Sequence, residues 1–174
     1  RKFRVETVCT TDDPADDLRY HRHILEHPFG VKVIPAWRPD KAMAIEDPVS
    51  YKAYIERLGE AADMEISSYS GLKEALKKRH DFFASVGCKL SDHGLDTFYA
   101  ADYKESEIEA IFKSVLEGKR VSDEEIAKFR SAFLLDQAVM DAEAGWVHQF
   151  HVGAIRNNNA KMFKAIGPDT GYDA

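Results

Sequence analysis

Four short apolar segments, spaced by longer helical patterns, constrain the fold more than any other feature of this chain. They cover residues 3–9, 31–35, 88–91 and 146–151. In the first, Phe3, Val5, Thr7 and Cys9 fall on one face, the two-residue period of a strand. A parallel neighbour needs a crossover connection, so short strands alternating with helices point to parallel βαβ units. The expected class is α/β.

The intervening helices have readable ends. Asp13-Pro14-Ala15-Asp16 suits a helix start, with Asp13 as N-cap, Pro14 in the first turn, and an end near His27. Further helices are expected over residues 48–61, 70–86, 104–117 and 160–166. Ser122-Asp123-Glu124-Glu125 is a capping box that opens a helix running to Ala144-Gly145. The connections between strands two and three, and three and four, exceed a minimal βα unit. They are helical elaborations on a βα scaffold.

Net charge is −6 over 174 residues, and no long basic run appears. Phosphate neutralisation needs a basic surface, so nucleic acid is not an expected partner. No apolar run reaches the length of a membrane span. Cys9 and Cys88 sit in apolar stretches without metal-ligand spacing. Both are expected to be buried free thiols in a reducing cytoplasm. The chain lacks an initiator Met, and residue 1 is expected not to be the natural start.

Parallel α/β folds bind ligands at the C-terminal ends of their strands. All four strand ends here are polar: Thr10-Thr11-Asp12-Asp13, Ala36-Trp37-Arg38-Pro39-Asp40, Ser91-Asp92-His93-Gly94-Leu95-Asp96, and His151 through Asn159. The opposite ends carry Lys2, Gly30, Gly87 and Gly145. Arg38 is a candidate anion-binding group. Asp92-His93 pairs a carboxylate with an imidazole, suited to acid–base work or to holding a sugar hydroxyl, unless it is a plain Asx turn. His151 ends a strand, Gly153 permits close approach, and Arg156 follows within reach. His21-Arg22-His23 mimics the His-x-His pair of metal-dependent hydrolases. It falls in a helical pattern, where residues two apart face different ways. His80 and His148 are expected to be structural, with His148 on the opposite strand face from His151.

These strand-end segments resemble uronate isomerases. The matching strings are Thr10-Thr11-Asp12-Asp13-Pro14, Pro35-Ala36-Trp37-Arg38-Pro39-Asp40, Leu90-Ser91-Asp92-His93-Gly94-Leu95-Asp96, and Phe150-His151-Val152-Gly153-Ala154-Ile155-Arg156-Asn157-Asn158-Asn159. The resemblance runs along essentially the whole chain and implies membership of the amidohydrolase superfamily. It implies that residues 1–174 form one α/β segment, a partial (β/α)8 TIM barrel of about four βα units with helical insertions. The implied parent enzyme interconverts D-glucuronate and D-fructuronate, and D-galacturonate and D-tagaturonate, by C1–C2 proton transfer through an enediol. Carried over by position, Asp92 and His93 are catalytic candidates, Arg38 and Arg156 substrate-binding arginines, and His151 a histidine at a divalent metal, expected to be zinc. The family's first-strand His-x-His pair, the His-Tyr segment after it and its last-strand metal Asp have no counterpart here. The chain is therefore expected to be an internal fragment, inactive alone, whose open strand edges favour a homo-oligomer. Two other readings stay open: a non-catalytic binding module for acidic sugars, and another hydrolase of the same superfamily.

Overall fold

The computed structural model describes residues 3–153, 157–167 and 170–171. Strands and helices alternate as expected: β1 (Thr7–Cys9), α1 (Arg19–Glu26), β2 (Lys32–Ile34), a 3-10 turn (Asp40–Met43), α2 (Pro48–Ala62), α3 (Tyr69–Ser85), β3 (Leu90–Leu95), α4 (Glu105–Leu116), α5 (Asp123–Ala144), β4 (Val147–Val152) and α6 (Ala160–Ile166). Among the described residues, all strand pairing is parallel. β1 pairs with β2, and β3 pairs with β4. Trp37 links the two pairs, because it bridges Asp12 on one side and Ser91 on the other. Its amide donates to Leu90 O at 3.1 Å, and its carbonyl accepts from Asp92 N at 2.9 Å. The four strands thus neighbour one another in chain order.

Capping chemistry sets the helix ends. Asp47 accepts from Val49 N ahead of Pro48 in α2, and Ser68 accepts from Gly71 N at the start of α3. Ser122 and Glu125 form the reciprocal box that opens α5, and Gly145 closes it at φ 67°. The core lies between these helices. Tyr51, Tyr69, Phe112 and Phe129 form a buried ring cluster, with Phe112 and Phe129 stacked at 6.3 Å and Tyr69 edge-on to Phe129 at 5.4 Å. Each such buried ring contributes roughly 2–3 kcal/mol of transfer free energy. Among the described residues, no helix is long and apolar enough to cross a membrane.

Three expectations need correction. The first helix does not begin at Asp13. Asp13, Asp16 and Asp17 instead fold their carboxylates onto Ala15 N, Leu18 N and Arg19 N, a run of Asx turns. Such side chains compete with helical backbone bonding. Arg79 from α3 secures the run by donating to Pro14 O and Asp16 O, and Leu18 enters α1 in the left-handed region at φ 51°. Second, the first strand is confined to three residues, those with partners on β2, and Phe3 and Val5 are exposed. Cys9 is exposed with them, while Cys88 is buried as expected. Third, β3 continues to Leu95 rather than ending at Ser91.

Candidate active site

The third correction decides the site. On a strand, successive side chains point to opposite faces. Parallel register aligns Asp92 with Gln149 and Gly94 with His151, while Ser91 aligns with His148 and His93 with Phe150. Asp92, Gln149 and His151 therefore share one face. Ser91, His93, His148 and Trp37 share the other, which packs on α3, α5 and the 3-10 turn.

Three of the anticipated residues meet on the first face. Arg38 follows Trp37, the bridging residue beyond β2, and directs Nη2 to Asp92 Oδ2 in an ion pair. His151 Nδ1 stands 2.7 Å from Asp92 Oδ1. Asp92, with its side chain 7% exposed, thus holds a half-exposed imidazole and a partly buried guanidinium together. Gln149, two residues before His151 on the same face, places its amide nitrogen 2.7 Å from His151 Nε2. Arg38 Nε has no hydrogen-bond partner among the described residues and lies 4.0 Å from Asp40 Oδ2.

His93 is not part of that cluster. It is wholly buried on the helix-facing side, with Nδ1 3.3 Å from Asp40 Oδ1. Adjacent in sequence to Asp92, it points the other way because the strand does not end where a turn was expected. Arg156 lies outside the described residues.

Sequence reasoning missed two residues that the site uses. Gln149 was available from the two-residue period counted back from His151. Asp40 accepts from Gly94 N at 2.8 Å and contacts His93, tying the β2 loop to β3 beside Arg38. Its position two residues after Arg38 gave no local signal. A further group gathers at the end of β1. Thr10 Oγ1 donates to Asp12 Oδ2 at 2.6 Å and lies 2.7 Å from Nε2 of buried His21.

His80 and His148 are structural in placement, but they share one carboxylate. Asp141 of α5 accepts from His148 Nδ1 and Ser91 Oγ on Oδ2, each at 2.5 Å, and His80 Nε2 lies 3.0 Å from Oδ1. Burial raises the Asp141 carboxyl, yet the bonds from His148, His80 and Ser91 outweigh it and bring it down to about 2.

Known proteins resemble this chain along its whole length. The sequence model for glucuronate isomerase matches residues 1–174. A uronate isomerase of Phocaeicola vulgatus is 56% identical over 174 residues, covering 100% of this chain and 37% of the relative. One from Cellvibrio japonicus is 50% identical over 171 residues, covering 98% of this chain and 36% of the relative. The crystal structure of uronate isomerase from Thermotoga maritima superposes with a TM-score of 0.90 at 35% identity, over 98% of this chain and 38% of that one. That of glucuronate isomerase from Caulobacter crescentus gives 0.85 at 36% identity, over 99% and 36%. The chain spans little more than a third of the length of these relatives. Matched from its first residue to its last, the chain belongs to the glucuronate isomerase family.

Proposed function

We infer that the protein containing this chain is an aldose–ketose isomerase acting on uronates. It converts D-glucuronate to D-fructuronate, and D-galacturonate to D-tagaturonate, by moving a proton between C2 and C1 through an enediol. The observation that carries this reading is the convergence of Arg38, Asp92 and His151 at the C-terminal ends of three neighbouring parallel strands. In this reading the strands belong to a (β/α)8 barrel that the rest of the protein completes, and the working enzyme is a homo-oligomer in the cytoplasm.

Each residue has a role that its chemistry allows. Arg38 offers a planar set of donors, only one of which is taken up by Asp92, so the remainder can hold the substrate carboxylate or the developing enediolate. Asp92 fixes Arg38 and His151 and stands ready to accept a sugar hydroxyl. Arg156 is a second substrate-binding arginine by position. His93 supports Asp40 from the buried side rather than touching substrate. His151 fits a metal centre. Its Nδ1 faces the Asp92 carboxylate, so Nε2 is the nitrogen that can bind a cation once the Gln149 amide beside it turns away. It would hold a divalent metal, zinc being compatible with an imidazole ligand, together with ligands from outside these 174 residues. Such a metal, when bound, supplies Lewis-acid polarisation of a substrate oxygen.

The test is proton exchange and ketose formation on D-glucuronate and D-galacturonate, followed by NMR with the full-length protein. Asp92→Asn and Arg38→Met are expected to lower kcat/KM by about 100-fold or more, the scale of losing a charged group that stabilises a developing oxyanion. A full-length protein without turnover on either uronate, or an Asp92→Asn variant with unchanged kcat/KM, overturns the reading.

A further inference from the structure

The end of α1 carries a constellation that the reaction above does not use. Its last turn reads His23-Ile24-Leu25-Glu26-His27, with His27 as the C-cap. Residues three and four apart are neighbours on a helix surface, so Glu26 and His27 both stand beside His23. All three residues are exposed. The two imidazole rings lie 4.4 Å apart between centroids, tilted by 31°. One ligand atom from each of His23, Glu26 and His27 lies within 4.8 Å of the other two. His21 takes no part, because its Nε2 is buried against Thr10 Oγ1.

The backbone settles which nitrogen His27 offers. Its Nδ1 lies 3.1 Å from His23 O. A carbonyl only accepts, so Nδ1 carries the proton and Nε2 keeps its lone pair. An imidazole held this way by a backbone carbonyl has the tautomer of a metal ligand, with the carbonyl as its outer shell. The His23 ring and the Glu26 carboxylate make no hydrogen bond or ion pair among the described residues, so ligation breaks no existing bond. Unpaired carbonyls at the C-terminal end of a helix also favour a cation there. Two nitrogens and a carboxylate oxygen suit zinc, whose bonds to them are about 2.0–2.2 Å. Bonds of that length put ligand atoms roughly 3.3 Å apart, so closure needs movements on the order of 1 Å. Exposed side chains make such movements by small rotations within their rotamer wells. The His-x-x-Glu-His spacing also occurs on the helix of a class of zinc hydrolases. We propose that His23, Glu26 and His27 bind one zinc ion on the exposed face of α1, with water completing its coordination. The ion clips the last turn of the helix. The site does not depend on the isomerase reading.

The test is hydrogen exchange of the full-length protein, stripped of metal and titrated with zinc chloride, read by mass spectrometry over the peptide of α1. By mass action, opening of the last turn is expected to slow about 10-fold once zinc reaches about ten times its dissociation constant. Magnesium, which prefers oxygen ligands, is expected to leave α1 unchanged. The slowing is expected to persist in His151→Ala, which keeps it distinct from any metal held on β4, and to vanish in His23→Gln. No slowing of α1 up to about 1 mM zinc, the limit of weak binding, overturns the proposal. So does the same slowing in His23→Gln. Should that variant fail to fold, anomalous diffraction from zinc-soaked crystals of the unaltered protein decides: a peak between His23 and His27 supports the site, and its absence overturns it.

Discussion

Trp37 joins strands on both sides of it, and its side chain should matter as much as its backbone. The indole is fully buried, edge-on to Phe83 at 5.0 Å and to His80 at 5.5 Å, and its Nε1 donates to Gln137 Oε1 at 2.9 Å. Gln137 is itself 1% exposed. Trp37→Phe strands that amide oxygen at a cost of about 1–3 kcal/mol and loses ring volume worth roughly 1 kcal/mol more. Gln137→Leu strands the indole N–H at a similar cost of about 1–3 kcal/mol. The double variant strands nothing, so it is expected to cost about 2 kcal/mol less than the two single changes added together. Urea unfolding of the full-length protein, followed by circular dichroism, gives the cycle. Hydrogen exchange gives a local readout. The amides of Asp92 and Arg38, bonded to Trp37 O and Asp12 O, are expected to exchange faster in Trp37→Phe. Additivity within about 0.5 kcal/mol would refute the claim that this hydrogen bond ties the helix layer to the strands.

Other consequences follow from single sites. A Cβ on Gly59 in α2 meets Met64 O at 2.7 Å, so Gly59→Ala is expected to lower stability by about 1–3 kcal/mol despite the better helix propensity of alanine, as thermal unfolding will show. Asp63 ends the same helix in the left-handed region at φ 52°, so Asp63→Gly is expected to raise stability by up to about 1 kcal/mol in the same assay. Burial pushes the Cys88 thiol up to about 11. At pH 9.5 it is then only about 3% thiolate. Iodoacetamide is expected to label exposed Cys9 of the 174-residue chain at pH 8 and to leave Cys88 until urea unfolds it, with mass spectrometry locating the adduct.

Local chemistry made the helices legible and left the strand faces hidden. Ser122, Glu125 and Gly145 mark the ends of α5 because capping bonds span only a few residues. The aspartates before α1 misled for the same reason: a carboxylate that can cap a helix can also close an Asx turn, and Arg79, distant in sequence, settles the choice. The strand-end rule brought Arg38, Asp92 and His151 together, yet Asp92-His93-Gly94 resembles a turn and hid the last four residues of β3. The shared role of Asp141 had no sequence signal, since its partners arrive from α3, β3 and β4.

The two faces of β3 also explain why its register is firm. A slip of one residue exchanges every side chain between faces. It would bring His93 toward the Arg38 guanidinium, removing the carboxylate that holds both Arg38 and His151. It would also drive Asp92 into the layer where Asp40 already contacts His93, setting two carboxylates against each other away from water. Like charges in that setting repel strongly, because the surrounding protein screens them poorly. The conflict adds to the burial of Leu95, which would turn out of its packed position in the same slip. The residues that build the candidate active site thus help fix the strand that presents them.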